Sequence, residues 1–195
     1  RYYGDYFRSV NFEFKPLLTK IFTEEYEKKT AGSKIKNPLE FSIQILNELQ
    51  LPIIKSNPIV FFLRQQSMDL FNQPNVKGWD GGKSWLTTQI YLQREAVADA
   101  VCQGRGFIRG NDNNQMSSQM SKMKAKTTHL QWHKGTNKAI IKELTDRLLF
   151  SVSPETQKDF ENLLKYDFDA NSLNSDQAVL RLFNAIIKEP EFQLI

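Results

Sequence analysis

Apolar residues along the chain recur at helical rather than strand spacing. After Asn37-Pro38-Leu39-Glu40, apolar side chains stand at Leu39, Ile43, Leu46 and Leu49, a stripe on one helix face. The opening tetrapeptide is itself a start signal. Asn accepts from the first turn, Pro fits the first helical position, where the N–H has no partner in any case, and Glu40 reaches back to the cap. Asn57-Pro58 opens a second helix through Phe61, Phe62, Met68 and Leu70. Ser84 is placed to cap a third, from Trp85 to about Val101, with Leu86, Ile90, Val97 and Val101 on one stripe and Gly104 as a stop.

The last third repeats this grammar. Thr136 caps a helix carrying Ile140, Ile141, Leu144, Leu148 and Leu149. Ser153-Pro154-Glu155 opens another, with Phe160, Leu163 and Leu164, and Asn174 or Ser175 opens the last, with Val179, Leu182, Phe183 and Ile186. Near the N-terminus, Lys15 to Tyr26 reads as one more helix, preceded by an aromatic-rich turn at Tyr2 to Phe7. Alternation of apolar and polar residues does not persist anywhere, and β-branched clusters are lacking. The pattern predicts an all-α fold, an irregular bundle of about six to eight helices. Residues 1–195 read as a single helical domain with a long polar loop near 104–126. A loop of that length in a compact domain is usually functional or disordered.

Charge changes this picture in one place. From Cys102 to Lys142 there are eight Lys or Arg (Arg105, Arg109, Lys122, Lys124, Lys126, Lys134, Lys138 and Lys142) against one acid, Asp112, while the formal net charge of the chain is only +4. Only Phe107 and Trp132 are interleaved with these cations, and no nucleic-acid module is visible. The segment therefore reads as a solvated loop and argues against a nucleic-acid partner, though an acidic polymer or lipid head group fits its charge. The single cysteine, Cys102, excludes an internal disulfide without fixing the compartment. No apolar run approaches the roughly 18 residues of a membrane span. The chain begins with Arg1 and shows no leader, so it is expected to be cut from something longer.

The segment from Asn72 to Trp85 (NQPNVKGWDGGKSW) is unlike the rest. Pro74 fixes one backbone angle and biases Gln73 toward an extended conformation. Gly78, Gly81 and Gly82 allow backbone angles closed to other residues, and Asp80-Gly81 is a tight-turn pair. Two tryptophans bracket these turns, each with an indole N–H that wants an acceptor if buried. The segment predicts a shaped, rigid loop pinned by Trp79 and Trp85.

Pro74-Asn75-Val76-Lys77-Gly78-Trp79, then Gly81-Gly82, Trp85-Leu86 and Arg94, resembles the signature of the bacterial domain-of-unknown-function family number 1800. Ile35-Lys36-Asn37-Pro38-Leu39-Glu40-Phe41 is similar to that family's Lys-x-Pro-x-Glu helix start, and Glu189-Pro190-Glu191-Phe192-Gln193 to its usual ending. Two departures stand out: Gln73-Pro74 replaces the usual Pro-Pro, and the residues after Arg94 differ from Asn-Phe-Ala. The likeness is good from about Ile35 to Ala100 and fainter from Thr136 to Ile195, and covers the C-terminal part of a longer family domain. It implies a largely helical bacterial protein, often exported to the periplasm, cell surface or medium, and supplies no reaction, substrate or catalytic residue.

Two readings of the loop stay open. In one, Trp79 and Trp85 are core anchors and the glycines serve the turn. In the other the loop is a ligand surface, with Asn75, Trp79, Asp80, Lys83, Trp85 and Arg94 as candidate contacts. Aromatic faces stack on sugars or cations, Asn75, Asp80 and Lys83 supply hydrogen bonds, and Arg94 turns back to Asp80, clamps loop carbonyls or meets an external anion. His129 and His133 have i, i+4 spacing, which on a helix gives one face. Zinc needs further ligands, and the Glu of the metalloprotease helix is missing, so no metal and no cofactor is assigned. Gly81-Gly82-Lys83-Ser84 lacks the first glycine of a phosphate loop. Cys102 with His129 or His133 is a thiolate–imidazole pair only if folding joins them. These residues point to a noncatalytic helical binding module of an exported bacterial protein, acting on another protein or a surface polymer. The alternative is part of a hydrolase for polysaccharide or an anionic ester, completed by residues outside this chain.

Overall fold

The computed structural model describes residues 1–28, 32–50, 57–103, 130–165, 169–172 and 174–195. Among these, all regular structure is helical, as the all-α reading predicts. The contacts divide the chain into two compact units, residues 1–33 and 34–195.

The first unit is a helical hairpin, α1 (Tyr2–Ser9) and α2 (Phe14–Glu27). The aromatic turn expected at Tyr2 to Phe7 is instead helix α1. Its tyrosines bond across the hairpin: the Tyr2 hydroxyl donates to Glu24 at 2.8 Å and that of Tyr3 to Glu25 at 3.0 Å. Such contacts override the modest helix propensity of aromatic residues. The turn at Asn11 and Phe12 takes positive φ at both residues. Along α2, Phe14, Leu18, Phe22 and Tyr26 form an i, i+4 stripe that is exposed.

The second unit holds α3 (Pro38–Glu48), α4 (Asn57–Gln65), α5 (Thr88–Cys102), α6 (Asn137–Leu148), α7 (Pro154–Leu164) and α8 (Ser175–Ile186), with 3-10 turns at Gly82–Leu86 and Pro190–Gln193. The starts follow the sequence closely. Asn37 and Glu40 form a full capping box, and Thr136 and Ser153 accept from the amides of Ala139 and Thr156. Asn174 caps α8 without a side-chain bond. Helix α4 stops at Gln65, short of the expected Met68 and Leu70, because Ser67 turns to φ +64° and breaks the ladder.

The start of α5 also differs from the reading. Ser84 does not cap it: its hydroxyl turns back to the Gly81 carbonyl at 2.7 Å inside the 3-10 turn. Thr87, with extended angles, accepts from the Ile90 amide and begins the helix. Gly104 and the polar loop 104–126 lie outside the described residues.

Two apolar clusters share α3. Phe41, Ile45 and Leu49 meet α5, α6, α7 and α8 in the main core, where Ile140, Leu144, Leu182 and Phe183 are fully buried. Leu46, from another face of α3, joins Ile59, Leu63, Met68 and Trp85 in a second cluster. At roughly 1.5–3 kcal/mol per buried large apolar side chain, the main core dominates the stability of this unit. Residues 34–36 pair antiparallel with the chain end: the Lys34 and Ile195 main chains exchange bonds of 3.1 and 2.7 Å around a single Ile35–Leu194 bridge.

Candidate functional site

The loop after α4 is tied down bond by bond. Arg64 Nε donates to Asp69 Oδ1 at 2.6 Å, and Asn72 Nδ2 donates to Asp69 Oδ2 at 3.1 Å. Arg64, with help from Asn72, holds the Asp69 carboxyl below its ordinary range. Asn75 Oδ1 accepts from the Lys77 amide at 2.8 Å, and the Gly78 amide bonds to the Asn75 carbonyl at 3.0 Å. This Asx turn explains why Asn stands ahead of Gly78, whose φ is +90°. Lys77 Nζ reaches Asp80 at 3.1 Å, with both side chains largely in solvent, so the pair adds little stability. Gly81 takes φ +73° and ψ −170°, a combination reserved for glycine, and starts the turn that delivers Trp85.

Trp85 is buried among Leu46, Ile59, Leu63 and Met68, while Trp79 is half-buried against the same cluster. Asn75, Asp80 and Lys83 are exposed. The most exposed apolar side chains of the loop are Phe71, at 94% exposure, and Val76, which is wholly exposed. Neither has a helical or strand periodicity around it that would mark it in the sequence.

Arg94 is elsewhere: it is buried at 1% exposure and does not turn to Asp80. Its Nη1 donates to Gln193 Oε1 at 2.9 Å and its Nη2 to the Lys36 carbonyl at 2.6 Å, with the guanidinium 5.0 Å from the Phe41 ring centre. It is a carbonyl clamp, and the carbonyl belongs to the segment before α3. Lys36, 4% exposed, donates to the Phe192 carbonyl, and its Nζ lies 3.9 Å from the Phe192 ring centre. Among the described residues neither cation has a carboxylate at ion-pair distance, and Arg94 Nε has no partner. Burial lowers both pKa values. Lys36 falls to about 8, with the Arg94 charge adding to the effect and Glu40 opposing it. Arg94 falls to about 10, again with Glu40 opposing. Lys36 and Gln193 lie in the two segments that resemble the family's helix start and ending, but local spacing does not mark either side chain as buried or as a partner of Arg94.

So the structure brings together Trp79, Trp85 and the exposed Asn75, Asp80 and Lys83 in one loop, and places the Arg94 side chain in a buried network with Lys36 and Gln193. The other candidates are dispersed. Cys102 is half-buried, and burial pushes its thiol up to about 12. His129 lies outside the described residues. His133 is in a nonhelical stretch before α6, where its backbone N–H donates to Glu143 Oε2 at 3.1 Å and its Nδ1 sits 2.9 Å from Glu143 Oε1. The helical face that would pair two imidazoles therefore does not include it. Among the described residues no three His, Cys, Asp or Glu gather as a metal site, and no helix is long and apolar enough to cross a membrane. The neighbouring carboxylates Glu24 and Glu25 are occupied structurally, bonding to the α1 tyrosines and to Lys20 and Lys28.

No curated protein and no solved structure is significantly similar to this chain. One family model matches residues 2–194, including the Asn72–Trp85 loop and the turn that holds Arg94. With nearly its whole length matched, the chain belongs to DUF1800, a family described as proteins of unknown function.

Proposed function

We propose that this chain is a noncatalytic binding module of an exported bacterial protein, and that the rim of the Asn72–Trp85 loop, with the adjoining Phe71, meets a protein partner or surface polymer. The observation that carries the reading is that Phe71 and Val76 stand in solvent on a loop otherwise fixed by Asp69, Asn75 and Trp85. A loop ordered before contact loses little entropy on binding. Val76 and Phe71 offer apolar contact, and Asn75, Asp80 and Lys83 offer a polar rim, the mixture found in protein interfaces. Trp79 adds a half-exposed aromatic. Trp85 and Arg94 support this surface from inside rather than touching the ligand. The raised Cys102 pKa argues against a thiolate nucleophile at this position. Export rests on the family resemblance.

The test is an array of glycans, polyanions and bacterial envelope proteins probed with the chain and with its Val76→Asp and Lys83→Glu variants. Both positions are exposed, so the variants keep the parent Tm. Binding to one class that falls at least about tenfold in Val76→Asp, a loss of roughly 1.4 kcal/mol, is expected. Absence of binding, or binding indifferent to both changes, removes the loop as a site.

A further inference from the structure

We infer that Phe71 is the anchor of the contact proposed above, and that its partner is a protein with an apolar pocket for the phenyl ring rather than a surface polymer. This rests on the reading of the loop rim as a binding surface.

Asp69 to Asn72 form a four-residue turn, closed by the Asn72 amide on the Asp69 carbonyl at 3.1 Å. Phe71 is its third residue and takes φ +62°, while Leu70 before it stays out of the left-handed region. That is the type II pattern, whose third position suits glycine or asparagine. In other residues the Cβ there crowds the following carbonyl oxygen.

The other residues with positive φ gain something from it or tolerate it. Asn11 is of a type that visits this region readily. The Phe12 ring packs edge-on against Phe7, with centroids 5.3 Å apart. Gln50 follows the α3 cap, where a left-handed residue is an ordinary helix terminator. Ser67 lets the Met68 amide reach the Leu63 carbonyl at 2.9 Å and brings Met68 into the second cluster. At position 71 the turn needs the backbone angle and not the ring. The phenyl group is 94% exposed, so it buries almost nothing in return. Strain kept without gain inside the fold points to a use outside it. The turn beneath the ring is fixed by Arg64 and Asn72, which hold the two oxygens of Asp69, so little order is lost on contact.

The chemistry selects the partner. A phenyl ring offers no conventional hydrogen bond and gains most by leaving water for an apolar pocket, the usual seat of an interface anchor. Val76 adds a second exposed apolar side chain to the loop. An anionic polymer would want a surplus of cations. From Arg64 to Trp85 there are Arg64, Lys77 and Lys83 against Asp69 and Asp80, and Arg64 and Lys77 are paired with those acids. A glycan would want open aromatic faces, and the loop's tryptophans pack on the second cluster.

The test applies the array of glycans, polyanions and envelope proteins to the parent and to two variants. Phe71→Asn suits the turn without adding glycine's freedom to the unfolded chain, and is expected to raise Tm by about 2–4 °C. The same variant should bind its protein at least about tenfold more weakly. Phe71→Tyr keeps the ring and the strain. Its hydroxyl, forced into an apolar pocket, should weaken binding by about tenfold, whereas stacking on a sugar would tolerate it. Protein binding that falls in Val76→Asp and persists in Phe71→Asn would overturn the anchor and leave the binding surface standing. Binding to glycans or polyanions alone, or protein binding unchanged in Phe71→Tyr, would overturn the apolar pocket with the surface intact. No binding to any class removes both. A Tm that does not rise in Phe71→Asn would show that the fold itself uses the ring, and would also overturn the inference.

Discussion

Arg94 donates to Gln193 across 99 residues of sequence, and both side chains are buried. The same guanidinium takes the Lys36 carbonyl, so one planar group fixes three separate stretches of chain. Lysine cannot reproduce this, because its ammonium has no fork. Arg94→Lys leaves one buried oxygen without its donor and keeps a charge in the interior. It is expected to cost about 2–4 kcal/mol in urea unfolding of the chain. A change below about 0.5 kcal/mol, the usual range for a surface substitution, would show that the clamp is dispensable.

Lys36 gives the stability a pH dependence of unusual sign. Its folded pKa, about 8, lies below the ordinary lysine value of 10.5, because burial and the Arg94 charge both disfavour the ammonium. Between those two values the unfolded chain binds more protons than the folded chain, so stability contributed by this group rises with pH. The gain begins near pH 8 and is complete near 10.5, at most about 3 kcal/mol. Other lysines and tyrosines titrate in the same range, so the observable is the difference between the parent and Lys36→Met. Unfolding free energies at pH 7, 8, 9 and 10 should converge or cross with a slope that disappears in the variant. Parallel curves would place Lys36 in water.

How much of this was legible follows from distance along the chain. Asn37, Thr136 and Ser153 mark helix starts because a cap acts on amides within three residues, and all three cap as the sequence predicts. The Ser84 misreading is also local. Ser84 and Thr87 are both capable caps, and the positive φ values of Gly81 and Gly82 decide the matter by inserting a 3-10 turn first. Tyr2 to Ser9 is helical through bonds to α2 that no single-segment pattern contains. The loop was recognisable as shaped from Pro74, the glycines, the Asp80-Gly81 pair and the two tryptophans, whereas the Asx turn at Asn75 was not read from the sequence. The surroundings of Arg94 were not, because its partners lie 58 and 99 residues away. A buried Lys36 was still less visible, its carbonyl partner standing 156 residues downstream.

Cys102 should behave as an inert thiol. Burial, aided by the Asp99 charge, pushes its pKa to about 12 against a small opposing effect of Lys188. The thiolate is the reactive form, so at pH 8 disulfide-exchange reagents should label the folded chain at least about a hundredfold more slowly than the chain in urea. Fast labelling in the absence of denaturant would mean that the thiol reaches solvent through local opening of the end of α5.

Gly81 and Gly82 both have positive φ, but they should not respond alike to alanine. Gly82, at φ +55°, sits near the left-handed helical region, and an added Cβ meets nothing within 4 Å. Alanine there is expected to cost about 1–2 kcal/mol, the ordinary penalty for that conformation. Gly81 combines φ +73° with ψ −170°, where an L residue clashes with its own backbone, and its Cβ would stand 3.8 Å from the Trp85 indole nitrogen. That distance is ordinary contact, so the penalty is conformational rather than steric and cannot be relieved by moving Trp85. Gly81→Ala should cost about 1–3 kcal/mol, more than Gly82→Ala, and should also loosen the Trp85 anchor. Urea unfolding ranks the two variants, and the near-ultraviolet circular dichroism of the tryptophans reports the anchor. Equal costs with unchanged aromatic signals would mean that the loop reaches Trp85 by another backbone path.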